Sequence, residues 1–320
     1  MRGFELRNHL AGPTDRRMKA TVGRFALALG FLAALGAFEK RAHGQQTHQP
    51  LIADVVNSAS FAPNLAPGGF VTLTGSDLAP CSEAANTMPL PLEICQTKVV
   101  ITPDGRLLKL HYVSPEQINA VLPEDLNSGF HDVYVARDGV MSKARTVEIK
   151  DHAPGIFVMP CGLAAVQRWP DYQTLTLSAP AKPADVLVFY GTGLGKAEKS
   201  EAGLQLLGVP DVYLNGKSVK ALGAAKHPRY EGLDVFTVEL PGDLATGIAN
   251  LLACYESGRY CSEVAELPVV KGATVRTFGG RLLQSGKPAK GVQFAVKGPG
   301  GSVGSYISSN NGNLLIEVPR

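Results

Sequence analysis

The stretches PGGFVTLTGSDL (residues 67–78) and PADVLVFYGTGL (residues 183–194) are variants of one pattern, set 116 positions apart. Each reads Pro, two small or polar residues, a β-rich run, then Gly, Ser or Thr, any residue, and Leu. A second pair follows in the same order. INAVLPEDLNSGF (residues 118–130) and FTVELPGDLATGI (residues 236–248) share Pro123/Pro241, Asp125/Asp243, Leu126/Leu244 and Gly129/Gly247 at an offset of 118. Two landmarks in one order at nearly one spacing indicate a duplicated domain of about 115 residues. A chain of 320 residues has room for both copies and a tail.

The repeat bears on YGTGLGK, residues 190–196, whose three glycines and lysine look like a nucleotide-binding turn. In the first copy TGSDLAP holds that place, with Asp77 and Ala79 for the second and third glycines and Pro80 for the lysine. A phosphate loop needs free backbone amides at the start of a helix. Glu198, Lys199 and Ser200 open no apolar helical stripe, and the spacing G-x-x-x-x-G-K-[ST] is absent. The expectation is a turn that ends a strand.

Composition agrees with a chain of strands. There are 35 Gly and 22 Pro against only 18% charged residues, yet 45% is apolar, which suits short strands joined by tight turns. Apolar runs at 98–101 and 107–113 flank Pro103-Asp104-Gly105. Val133 and Val135 alternate up to Asp138-Gly139, Val147 and Ile149 alternate again, and residues 212–214 lead into Asn215-Gly216. Asp-Gly and Asn-Gly between alternating runs are hairpin signals. The expected fold class is all-β: two tandem immunoglobulin-like β-sandwiches, residues 45–152 and 153–268, plus a small C-terminal β-module, residues 269–320. About 50 residues is marginal for an independent sandwich, so the tail is expected to dock on its neighbour.

Residues 1–44 read as a signal peptide. Arg16, Arg17, Lys19 and Arg24 precede the apolar run at 25–38, and Ala42-His43-Gly44 forms a small-residue cleavage site. Met18 is an alternative start. The apolar run has 14 residues, short for a bilayer span, and the mature chain shows no other. Without residues 1–44 the chain keeps 23 Lys+Arg and 25 Asp+Glu, a formal charge of −2. Such a chain lacks the electrostatic footprint for nucleic acid or an anionic membrane. In an exported protein some of the five cysteines should be oxidised. Cys254 and Cys261 would fall opposite each other across a turn at Ser257-Gly258. Cys81 and Cys95 would close a short loop, which leaves Cys161 as a spare thiol. Spacing does not fix this connectivity, and it matches no zinc signature.

At this point the order of motifs carries a resemblance. VVNSASFAP (residues 55–63), LAPGGFVTLTGSDLA, MPLP, YVSPEQINAVLP (residues 112–123), APGIF (residues 153–157) and PAKPADVLVFYGTGLG resemble the Solibacter uncharacterised C-terminal domain family. That family is common in exported acidobacterial proteins and akin to IPT/TIG immunoglobulin-like domains. The resemblance covers roughly residues 52–268 and implies a pair of β-sandwich modules with no assigned activity. Cys95 stands where a small residue is usual, and Ala184-Asp185 where a Gly is common. The tail resembles, more weakly, a carboxypeptidase-regulatory-like β-module, through Gly291-Val292 after Lys287-Pro288 and Asn311-Gly312 before an apolar run.

Catalytic motifs are missing. His48, His111, His131, His152 and His227 fit no metal-ligand spacing, G-x-S-x-G is absent, and nothing singles out a carboxylate pair such as Glu116 with Asp125. No catalytic residue, metal or cofactor is expected. Trp169 and Tyr172, in the QRWPDYQ loop, are the candidate ligand contacts, since aromatic faces stack on sugar rings. The preferred reading of Trp169 is nonetheless packing at the junction of the two copies. Asn119, opposite in facing to Ile118, Ala120 and Leu122, is read as a turn clamp beside Gln117. The expected function is a secreted, non-catalytic binding or adhesion protein of the cell envelope or exterior, with a cell-surface glycan or envelope protein as partner. The alternatives are an exported hydrolase with a loop-borne site and a ligand-free spacer.

Overall fold

A computed structural model describes residues 5–6, 49–201, 203–272, 277–298 and 301–317. The expected signal peptide, apart from Glu5–Leu6, and His48 lie outside these residues. The fold is all-β. Among the described residues the one helical element is a 3-10 turn, Glu256–Gly258, and no helix is long and apolar enough to cross a membrane.

Residues 51–149 form two antiparallel sheets. Strands Leu51–Asn57, Phe70–Ser76, Gln117–Val121, Lys109–Val113 and Glu83–Ala84 make one. Gly129–Arg137 leads the other, flanked by Thr97–Ile101 on one side and by Arg145–Ile149 and Val140–Met141 on the other. Alternation sends Val99, Ile101, Val133 and Val135 inward, against Leu73, Leu110 and Ile118 from the facing sheet. Each such buried side chain contributes about 1.5–3 kcal/mol.

The same pairing recurs in residues 155–269. Phe70 pairs with Val121 and Val186 with Glu239; Ile149 pairs with Gly129 and Val269 with Gly247. Even a side-chain bond repeats. Ser142 Oγ accepts from Val135 N–H, and Ser262 Oγ accepts from Ala253 N–H. Phe189 stacks on Phe236 at 5.1 Å in the centre of this second core.

One expectation fails in detail. The run 107–113 is not a single strand after the Pro-Asp-Gly turn. Arg106–Leu107 pairs with Thr97–Ile101, then the chain crosses at buried Leu108 to pair as Lys109–Val113 in the other sheet. Leu108 and Leu110 both stay buried in the core through the crossing. In the second copy one bent strand, Lys217–Lys226, serves both sheets, with its irregularity between Ala221 and Gly223. The Asn215-Gly216 turn, with φ of 50° and 78°, joins it to Asp211–Leu214 as a two-residue hairpin.

Two disulfides form. Cys254 and Cys261 are direct cross-strand partners with Cα atoms 4.0 Å apart, and Cys81–Cys95 spans 6.2 Å. Cys161 is free. The Cys81–Cys95 bridge occupies both sulfurs beside Glu83, so that cluster offers no thiolate for a metal.

The glycines of YGTGLGK serve the seam between the two sandwiches. The segment after Ile149 runs alongside this turn: Gly155 pairs with Thr192, and Ala153 N–H donates to Gly193 O at 2.9 Å. A Cβ on Gly193 would lie 2.3 Å from Ala153 O, and its φ is +76°. Gly193→Ala should therefore cost about 1–3 kcal/mol, read as a lower urea midpoint. An unchanged midpoint would mean that the linker has room to move aside.

The seam is polar. Thr192 Oγ1 accepts from Phe70 N–H at 2.7 Å and donates to Gly232 O at 2.8 Å. Asn57 Nδ2 donates to Ala153 O at 2.9 Å. Lys226 Nζ sits 2.8 Å from Asp234 Oδ1, both almost wholly buried, and Leu194 N–H donates to Asp234 Oδ2 at 2.9 Å. Burial pushes the Asp234 carboxyl above the ordinary aspartate range, against the opposing pull of Lys226 and the Leu194 amide.

The tail pairs Thr277–Gln284 with Asn313–Glu317 around Leu282, Ala289, Leu314 and Ile316. It rests on the second sandwich through Glu266, which is 2% exposed. That carboxylate accepts from Ser309 Oγ, Asn311 N–H, Asn311 Nδ2 and Asn313 Nδ2, at 2.8–3.1 Å. Gly279 lies against Leu177, where a Cβ would meet the leucine backbone and side chain.

Candidate ligand site between the two sandwiches

The outer face of the Phe70–Ser76 and Gln117–Val121 strands is the floor of a cavity of about 390 Å³. Alternation explains the floor. With Leu73, Ile118 and Ala120 in the core, Phe70, Thr72, Gln117 and Asn119 project from the other side. The second sandwich supplies a wall through Phe157, Tyr230 and Leu233. Gly232, at φ +81°, lets the loop before Leu233 lie on Phe70, since a Cβ there would come within 2.8 Å of the ring.

The floor is a row of linked polar groups. Ser58 Oγ is 2.8 Å from Thr72 Oγ1, Thr72 Oγ1 donates to Asn119 Oδ1 at 3.2 Å, and Gln117 Nε2 donates to the same oxygen at 2.8 Å. Asn119 Nδ2 and Gln117 Oε1 have no partner among the described residues. One donor and one acceptor therefore face the cavity side by side. Around them stand aromatic rings. Phe61 is 69% exposed, Tyr230 is half exposed, and Phe70 meets His111 edge-on at 5.6 Å.

The cavity's one carboxylate is already engaged. Glu231 pairs with Lys109 and accepts from Leu90 N–H at 2.8 Å. The site is neutral, amphipathic and walled by both units. It offers rings to apolar faces and amides to hydroxyls.

Several expectations change here. Asn119 does not clamp the SPEQ turn. Ser114 Oγ does that, accepting from Gln117 N–H at 2.9 Å, which frees the Asn119 amide for the floor. Trp169 does not pack at the junction. It is 50% exposed on the second sandwich, in T-shaped contact with Tyr172 at 5.3 Å, because its strand lies flat against Val186–Thr192 with this side chain on the outer face. Asp125, which no spacing singled out, is held by Arg106, and that hydrogen bond holds its carboxyl below the ordinary range. His131 is buried with its ring nitrogens 2.7 and 2.9 Å from the Thr102 and Asn127 carbonyls. His152 stacks on Tyr255 at 4.1 Å. Both are structural. Burial drives the Tyr255 hydroxyl far above its ordinary range.

No family model matches the chain, and no curated protein matches it. Among solved structures it is similar to the Bacteroides ovatus mixed-linkage glucan utilization locus protein SGBP-B in complex with a mixed-linkage heptasaccharide. The identity is 14% over 65% of this chain and 43% of that one, with a TM-score of 0.28. It is also similar to the Escherichia coli adhesin FdeC, with 14% identity over 82% and 86% of the two chains and a TM-score of 0.22. An auxiliary nutrient binding protein from Bacteroides ovatus matches at 11% identity over 83% and 85%, with a TM-score of 0.22. The chain spans less than half the length of the first of these.

Proposed function

We propose that this is an exported, non-catalytic binding protein, and that the junction cavity takes a neutral carbohydrate. The observation that carries the reading is the cavity floor. Asn119 Nδ2 and Gln117 Oε1 are a paired donor and acceptor left open between aromatic rings. A sugar hydroxyl both donates and accepts, and a sugar's C–H face packs on a ring. A proline-rich peptide also packs on rings, but it presents carbonyl acceptors and leaves the Gln117 oxygen unpaired. Nucleic acids and acidic ligands gain nothing, because the only charge in the cavity is neutralised by Lys109.

The test is retention of the purified protein on insoluble cellulose, chitin and xylan, with Asn119→Ala alongside. Wild-type retention should be clear and the variant should lose about tenfold in affinity, since a buried amide contact is worth roughly 1–2 kcal/mol. Retention on none of the three, with capture of a proline-rich peptide instead, would overturn the reading.

A further inference from the structure

The face that floors the junction cavity exists twice. Thr72 pairs with Asn119 in the first sandwich, and the corresponding pair in the second is Val188 with Thr237. Val188 and Thr237 also project outward, and they line a groove of about 520 Å³. The position opposite Phe70 is Ser58, whose N–H donates to Phe70 O; the position opposite Val186 is Trp169. The duplication therefore puts Trp169 where the first copy has a floor residue of its cavity.

The two faces are joined. Met88, Tyr230 and Glu231 line both the junction cavity and a cleft beside it, and His227 and Pro228 line both that cleft and the Trp169 groove. Ring follows ring along this path. His227 lies 4.9 Å from Tyr230 and 6.4 Å from Tyr190, and Trp169 and Tyr172 close the far end. Burial, then Arg229, holds the His227 imidazole below its ordinary range.

From this geometry we infer that the ligand is a polymer chain rather than a single sugar. It lies lengthwise across both sandwiches, with a second subsite at Trp169, Tyr172 and Tyr190. This rests on the junction cavity being a carbohydrate site. The groove's occupant is the continuation of the same neutral chain. Aromatic residues line the cavity, the cleft and the groove in turn, and the groove, having no open amide pair, supplies stacking rather than hydroxyl recognition.

The experiment is calorimetric titration of the purified protein with two-unit and six-unit oligosaccharides of the cellulose, chitin and xylan series. Trp169→Ala is run in parallel, with its melting temperature as a check on folding. The six-unit ligand should bind at least about tenfold more tightly than the two-unit one. Trp169→Ala should abolish that gain and leave two-unit binding unchanged. Equal affinity for both lengths, or a variant that weakens both equally or neither, would overturn the second subsite while leaving the junction cavity in place. Binding of no series by wild type would overturn the junction reading and this inference with it.

Discussion

Lys226→Met lowers the stability of the chain by about 3–5 kcal/mol, the largest single effect expected here. The lysine and Asp234 are sealed at the base of the seam, with side chains 8% and 0% exposed. Removing the ammonium leaves a carboxylate in low dielectric with only the Leu194 amide for company. A domain pair of this size should lose on the order of 10 °C in melting temperature. The variant should also acquire a signed pH dependence. Burial already raises the Asp234 carboxyl, and losing Lys226 raises it further. A carboxyl whose folded value lies above its unfolded one favours the folded state when protonated. That contribution is complete below the ordinary aspartate range and is lost as pH rises through the raised value. The variant should therefore melt higher at mildly acidic pH than at neutral pH. A pH-independent deficit would mean that water reaches Asp234. Pairing Lys226→Met with Asp234→Leu should recover much of the loss, because an apolar pair carries no stranded charge.

Glu266→Ala comes second, and its effect falls on the tail. Four donors from Ser309, Asn311 and Asn313 converge on this carboxylate, and hydrogen bonds to a charged group are worth about 1.5–3 kcal/mol each. With alanine in place, those donors are left in a buried interface. The docking should weaken by at least about 3 kcal/mol, while the two sandwiches keep their melting temperature. Amide exchange reads this directly: the Asn313–Glu317 strand should lose protection and Gln117–Val121 should not. Unchanged protection in both would show that the contact of Gly279 with Leu177 is enough to hold the tail.

The strands were legible because they follow a two-residue period. Val133, Val135, Val147 and Ile149 read directly as inward positions, and Asp138-Gly139 and Asn215-Gly216 read as the turns they are. The matching motifs lie on strands of matching register, Phe70 opposite Val121 and Val186 opposite Glu239. The candidate site was only half legible. Alternation placed Asn119 away from the core but could not say what it faced, since the wall comes from distant residues, Phe157, Tyr230 and Leu233. Tyr230 gave no signal either. It sits in a loop with no periodicity, and that loop lies against Phe70 only because Gly232 has no side chain. The glycines near 193 look, in one dimension, like a ligand loop. What they accommodate is the linker at Ala153 and Gly155, a contact between strands that no local pattern encodes.

One consequence follows from the wall that the second sandwich lends to the first. The cavity is not a property of either unit, so whatever occupies it acts as a bolt through a joint. Since Tyr230 and Phe157 of one unit and Phe70 of the other line the same cavity, a load that pulls the two units apart should open it. Lys226, paired with Asp234, also donates to Gly68 O at 3.4 Å, so the lysine that holds the fold against heat reaches across the same joint.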